Sequence, residues 1–101
     1  MNITAYHRKN AKELGVKIAQ STAKGKKVEV KLPDGKMRHI GAKGYEDYKT
    51  FQKKDGGKVA LEKLDAYRAR HKCHDADRFT NKHLACEILW RDPKKTILRG
   101  K

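Results

Sequence analysis

From Lys27 to Leu32 apolar and charged residues alternate without a break, with Val28, Val30 and Leu32 on one parity and Lys27, Glu29 and Lys31 on the other. That is the period of a strand with one buried face. The following "LPDGK" is a turn: Pro33 presets one dihedral, Asp34 can bond its own backbone, and Gly35 accepts a positive φ. In the next segment, "KMRHI", Met37 and His39 share one face and Arg38 and Ile40 the other. The pattern leaves open which face meets the core, and a bulge at Gly35 is the device that would set the register. Upstream, Val16 and Ile18 alternate with Lys17 and Ala19 before the turn-forming "STAKGKK". Ala11, Leu14 and Ile18 also fall at helical spacing, but Gly15 favours a short helix or loop that gives way to a strand near Val16.

After Gly44 the period changes. "YEDYKTF" makes one or two helical turns, closed by Asp55-Gly56-Gly57. From Lys58 to His71, Ala60, Leu61, Leu64 and Tyr67 form a helical stripe, with Asp65 and Arg68 placed to pair on the solvent side. Thr80 is an N-cap for a second helix reaching Trp90, with Leu84, Ala85, Ile88 and Leu89 inward, and Asp92-Pro93 stops it. The predicted fold is α+β, a small antiparallel three-stranded β-meander followed by two or three α-helices packed on one face. Residues 1–101 form one domain: an N-terminal arm (1–13), the meander (14–42), a helical part (44–91) and a basic tail (92–101) that either leans on something through Ile97 and Leu98 or frays.

At 101 residues such a chain buries about two-thirds of its unfolded surface, and only 37% of its residues are hydrophobic. A small core follows, without a deep substrate cleft. The formal charge of +14 alters the picture more. Up to Ile40 there are ten basic and three acidic residues, and beyond it sixteen and nine, so each part carries +7. Charge spread over a folded body in this way attracts polyanions: nucleic acid, anionic lipid or an acidic protein wall. Lys17, Lys27, Lys31, Lys36 and Arg38 are expected to decorate the sheet, and Lys63, Arg68, Arg70, His71 and Lys72 to cluster at a helix end, where cations also suit the helix dipole. Aromatic residues are sparse on the strands, against a sheet-based single-strand reader, so nucleic-acid contact would run through the backbone and depend on salt. No apolar run approaches the ~18 residues that span a bilayer, and "MNITAYHRKN" lacks the apolar centre of a signal peptide. The expected setting is intracellular or within a virion, with Cys73 and Cys86 as reduced thiols.

Three kinds of chemistry have candidates. His71, Cys73, His74, His83 and Cys86 carry zinc-ligand side chains within sixteen positions. They lack a C-x2-C knuckle, adjacent ligands converge poorly, and Cys86 also fits its helix as a buried small hydrophobe, so no metal is assigned. Glu46-Asp47 are adjacent and point apart on a helix, which suits a helix start better than an acid–base pair. "GAKG" lacks the strand–turn–helix context of a phosphate loop. No catalytic residue, cofactor or small-molecule substrate is expected, and the chain is read as a non-enzyme.

"GKKVEVKLPDGKMRHIGAKGYEDYKTF", "YRARHK" and "TNKHLACEILW" together resemble a family of small basic uncharacterised proteins of nucleocytoplasmic large DNA viruses of algae and amoebae. The shared positions are Ile40 and Gly41, Gly44 and Tyr45, Asp47 and Tyr48, Tyr67, Arg70 and His71, and Leu89 and Trp90. The match runs from about Leu14 to Pro93; Ile40 stands where an aromatic is commoner, Lys49-Thr50-Phe51 and Gly56-Gly57 disturb a segment usually richer in charge, and neither cysteine belongs to the pattern. The resemblance implies a viral setting and no reaction. The expected function is a structural virion component, a minor capsid protein of cement type binding acidic surfaces of neighbouring capsid proteins; the alternative is a nonspecific DNA-binding protein that condenses the viral genome. In either case Gly41 and Gly44 are read as the corner between sheet and helices. Tyr45, Tyr48, Tyr67, His71 and Trp90 pack around it, and Asp47 lies near Arg70.

Overall fold

The computed structural model describes residues 2–101. Helix α1 (Ala5–Leu14) leads into a three-stranded antiparallel sheet in the order β1 (Lys17–Gln20), β2 (Lys26–Lys31), β3 (Met37–Ala42). Helices α2 (Tyr48–Asp55) and α3 (Gly57–Arg70), a 3-10 turn at Cys73–Asp75, and α4 (Asn81–Leu84) running straight into a π turn at Ala85–Leu89 complete the chain. The α+β class and the three-stranded antiparallel meander are the ones the residue pattern predicts, with a helix before the sheet as well as after it.

The hairpin resolves the ambiguity of "KMRHI". Gly35 N–H donates to Leu32 O at 2.9 Å and Leu32 N–H to Lys36 O at 2.8 Å, while Asp34 Oδ1 accepts the Lys36 N–H. With Gly35 at φ 90°, this is a three-residue loop, a tight turn followed by a left-handed residue. The resulting register sets Ile40 opposite Val28 and Met37 opposite Lys31. Val28, Val30 and Ile40 thus face the core, and Met37 is left 41% exposed on the outer face. Arg38 shares the inner parity with Val30 and is half-buried at its margin, so it does not decorate the outer face as expected.

The N-terminal segment is no arm. Thr4 caps α1, with its hydroxyl accepting the His7 N–H, while His7 Nδ1 accepts the Thr4 N–H at 3.0 Å. This is a capping box in which histidine fills the role usually taken by glutamate. Gly15, in the left-handed conformation, ends the helix and hands the chain to β1. Ala11 and Leu14 enter the core, and Asn10 is buried where its Nδ2 donates to Ile88 O at 3.1 Å.

The basic tail is likewise part of the body. Ile97 is buried, Leu98 N–H donates to Glu87 Oε1 at 2.9 Å, and Arg78 N–H donates to the Lys101 carbonyl while Lys101 N–H donates to Ala76 O, both at 3.0 Å. No helix among the described residues is long and apolar enough to cross a membrane.

Candidate functional surface

The corner between sheet and helices is built by backbone freedom. Gly41 has φ 74°, and a Cβ there would stand 3.1 Å from Leu89 Cδ1 and 3.3 Å from the Lys27 side chain. Only a glycine lets β3 turn this close to the π turn. Gly44 follows at φ 90°, and Asp47 then caps α2, its Oδ1 accepting from Thr50 N–H at 3.2 Å and from the Thr50 hydroxyl at 3.1 Å. Tyr48 is buried, and its burial raises the hydroxyl pKa. Tyr45 does not pack as expected: it is 74% exposed at the mouth of a cleft.

Asp47 and Arg70 line the same cleft, but the ionisable group beside the Asp47 carboxylate is His7. The second Asp47 oxygen lies 3.9 Å from His7 Nε2, and both side chains are buried. Because Nδ1 is engaged as the acceptor in the capping box, His7 holds its proton on Nε2, toward the carboxylate. Burial lowers the His7 pKa; Asp47 opposes the shift, and Lys49 and Lys27 add to it. Protonating Nδ1 would remove the acceptor that Thr4 needs. In the unfolded chain histidine titrates near 6.5, so between that pH and the lower folded value the unfolded state binds a proton that the native state refuses. Stability is full above about pH 6.5 and declines as pH falls through that window. Urea unfolding should show a lower midpoint at pH 5.5 than at 7.5, and His7→Asn should flatten that difference. An unchanged wild-type midpoint would contradict the buried-neutral assignment.

The proposed metal ligands are brought together for another purpose. Lys72, at φ 49°, ends α3 in a left-handed turn and swings Cys73 onto the π turn, where it is bonded to Cys86 in a disulfide with a Cα–Cα distance of 5.7 Å. The expectation of reduced thiols is thus corrected: the break after α3 places both sulfurs in one buried position. His83 is buried with both nitrogens occupied, Nδ1 accepting the Phe79 N–H at 3.1 Å and Nε2 donating to Leu98 O at 2.8 Å. His74 is exposed on the 3-10 turn. These four side chains form no ligand cage.

Arg68 belongs inside rather than with the contact cations. Instead of pairing with Asp65 it reaches the π turn, where Nη1 donates to Cys86 O at 2.7 Å and Trp90 O at 3.1 Å. Its Nη2 stands 2.7 Å from Oε2 of the fully buried Glu87, an ion-pair contact rather than a well-angled hydrogen bond. The widened turn frees carbonyls, and side chains answer them: Arg68 for Cys86 and Trp90, Asn10 for Ile88, and Tyr6 OH for Arg91 at 2.6 Å. Burial pushes the Tyr6 hydroxyl pKa well up, as a phenol held as donor requires.

Most of the predicted contact cations do stand on the surface. Lys17 and Lys31 stand directly opposite each other across β1 and β2 on the outer face, both exposed, with Lys36 exposed on the adjoining loop. Lys63, Arg70 and Lys72 are exposed on the helical layer. Lys27 is half-buried beside the corner, its Nζ donating to the Tyr45 carbonyl. Among the described residues, the Lys and Arg side chains that meet a carboxylate are Lys54 with Glu46, Arg68 with Glu87, Arg91 with Glu13 and Lys101 with Asp75.

A cleft of about 670 Å³ opens at the corner. Its aromatic wall comes from helices. Tyr67 and Trp90 lie parallel with centroids 4.5 Å apart and planes at 9°, His71 lies 4.2 Å beyond Tyr67, and Phe51 is 6.2 Å from Trp90. His71 is exposed, and burial, followed by Arg70 and Lys82, lowers its pKa. Lys63 Nζ sits 5.6 Å from the Phe51 ring and the Arg70 guanidinium 5.9 Å from Tyr67, within cation–π range.

Residues 16–53, which cover the meander, the corner and most of α2, match the model of a family of unknown function, DUF5754. No curated protein matches the chain, and no solved structure does.

Proposed function

We propose that the protein is a non-enzymatic structural component of a larger assembly, a cationic body that docks on acidic surfaces of neighbouring proteins in the manner of a minor capsid protein. The observation that carries this reading is the cross-strand pair of Lys17 and Lys31. Like charges directly opposite on a sheet are destabilising, and an acidic partner on that face relieves the conflict. Cations also stand on the helical layer, at Lys63, Arg70 and Lys72. Helices cover the other side of the sheet, so both layers can be contacted at once, which suits a unit wedged between neighbours. The virion setting rests on the motif resemblance, and the buried disulfide favours an oxidising environment such as a released particle over a reducing cytosol.

Lys17→Glu separates fold from docking, because the two effects have opposite signs. The variant replaces a like-charge pair with an opposite-charge one, so the isolated protein should gain about 0.2–1 kcal/mol in urea unfolding. Its recovery with shell proteins after gentle particle disassembly should fall. Recovery of the wild-type protein with the genome instead would favour the second reading, nonspecific DNA packaging. In that case binding to random duplex DNA should drop steeply between 50 and 200 mM salt, by about 10³-fold or more if six phosphates are contacted.

A further inference from the structure

The corner cleft carries a signal that general docking leaves unexplained. Small soluble folds bury their large aromatics, yet Tyr45 stands 74% exposed at the cleft mouth. Among the described residues no aromatic ring packs on it. Behind it the stack of Trp90 and Tyr67 runs outward to the exposed His71, so the row of rings ends on an imidazole facing solvent. Lys27, Lys63 and Arg70 line the same cleft. On the acidic side, Glu46 is paired with Lys54 and the Asp47 carboxylate is engaged by Thr50 and His7. An exposed aromatic ring beside cations that meet rings or a carbonyl but no carboxylate supplies the two parts of a site for single-stranded nucleic acid: bases stack on rings, and flanking phosphates meet lysine and arginine. The volume lies in the range of small-ligand pockets.

We propose that this cleft admits an unpaired nucleobase from a single strand, stacked on Tyr45 and His71, with Lys27, Lys63 and Arg70 on the neighbouring phosphates. A duplex, whose bases are already stacked, offers nothing to the rings. An acidic peptide satisfies the cations, but it lacks the regular pairing of planar ring and phosphate at each unit. The cleft shares Lys63 and Arg70 with the helical layer of the docking reading but lies apart from Lys17 and Lys31, which carry that reading, so substitutions at Tyr45 and at Lys17 distinguish the two.

Trp90 is the chain's one tryptophan and lines the cleft, so its fluorescence reports occupancy. The full-length protein is titrated with a twelve-residue thymidine oligonucleotide, an abasic strand of the same length, a random duplex, and a peptide of alternating Glu and Tyr with matched charge. The thymidine strand should quench Trp90 saturably and bind at least ten-fold tighter than the abasic strand. Tyr45→Ala, at an exposed position, should keep the wild-type unfolding midpoint and weaken thymidine-strand binding about 5- to 100-fold, erasing the advantage over the abasic strand. Lys17→Glu should leave that advantage intact. Equal binding of thymidine and abasic strands, an advantage that survives Tyr45→Ala, or tighter binding of the duplex or the peptide each overturns the proposal.

Discussion

Glu87→Ala is expected to cost about 3–5 kcal/mol of folding stability, the range for breaking a buried ion pair by removing one partner. Glu87 is 0% exposed, and its two oxygens hold two different parts of the molecule: Oε2 faces Arg68 on α3, and Oε1 accepts the Leu98 N–H of the tail. Truncation leaves a guanidinium, 19% exposed, without its counter-charge and strands a backbone donor. Arg68→Ala should cost a similar amount by the opposite route, leaving a buried carboxylate and the carbonyls of Cys86 and Trp90 unanswered. Replacing both at once, Arg68→Met with Glu87→Leu, removes the uncompensated charges. The double variant should be more stable than either single one and still below wild type, because the carbonyls and the Leu98 N–H stay unpaired. Adding the single variants Arg68→Met and Glu87→Leu closes the cycle, and urea unfolding of those two, the double variant and the wild type gives the coupling. A loss below about 1 kcal/mol for Glu87→Ala, the size of an exposed pair, would show that the site is hydrated and that this account of the π turn is wrong.

The same residues show where sequence reading succeeds and where it stops. Alternation over Val28, Val30 and Leu32 and the punctuation of Pro33-Asp34-Gly35 are local signals, so the hairpin was readable to within a residue or two. Thr80 and Asp47 are short polar side chains at helix starts and were read as such, because capping involves only the next three residues. Arg68 and Glu87 are nineteen positions apart, and nothing local says that one buried carboxylate will draw a guanidinium inward. Charge in a basic chain therefore reads as surface, and Arg68 was misassigned for that reason. Ahead of Gly15 only an arm with a short helix or loop is legible, because the buried residues of α1 include His7 and Asn10, polar types whose partners lie in the capping box and on the distant Ile88 carbonyl. The histidine capping box is the signal that could have revealed it: Thr4 and His7 have capping-box spacing, with histidine standing in for an acid. The aromatic cleft was hidden in another way. Phe51, Tyr67 and Trp90 belong to three separate segments of the chain, and nothing local says that they line one wall.

Removing the Cys73–Cys86 disulfide is expected to cost about 3 kcal/mol. The two residues are 13 apart, and closing a loop of about that length takes roughly 3 kcal/mol of chain entropy from the unfolded state. Against a total of about 5–15 kcal/mol for a domain, and at roughly 4–8 °C per kcal/mol for a chain of about 100 residues, thermal unfolding should shift down by about 12–24 °C. The closed loop includes the whole 73–86 stretch: the 3-10 turn, the left-handed Phe79 at φ 61° and α4. That stretch has few apolar anchors of its own, so the bond keeps it from fraying away from Arg68 and the π turn. Cys73→Ala with Cys86→Ala and wild-type protein under reductant should give the same midpoint within error, since both abolish the same constraint. If reductant leaves the midpoint unmoved, or mass measurement of the native protein finds two free thiols, the bond does not exist in the folded protein. The case for an oxidising environment then goes with it, while the Lys17 and Tyr45 tests keep their meaning, because neither residue touches that part of the fold.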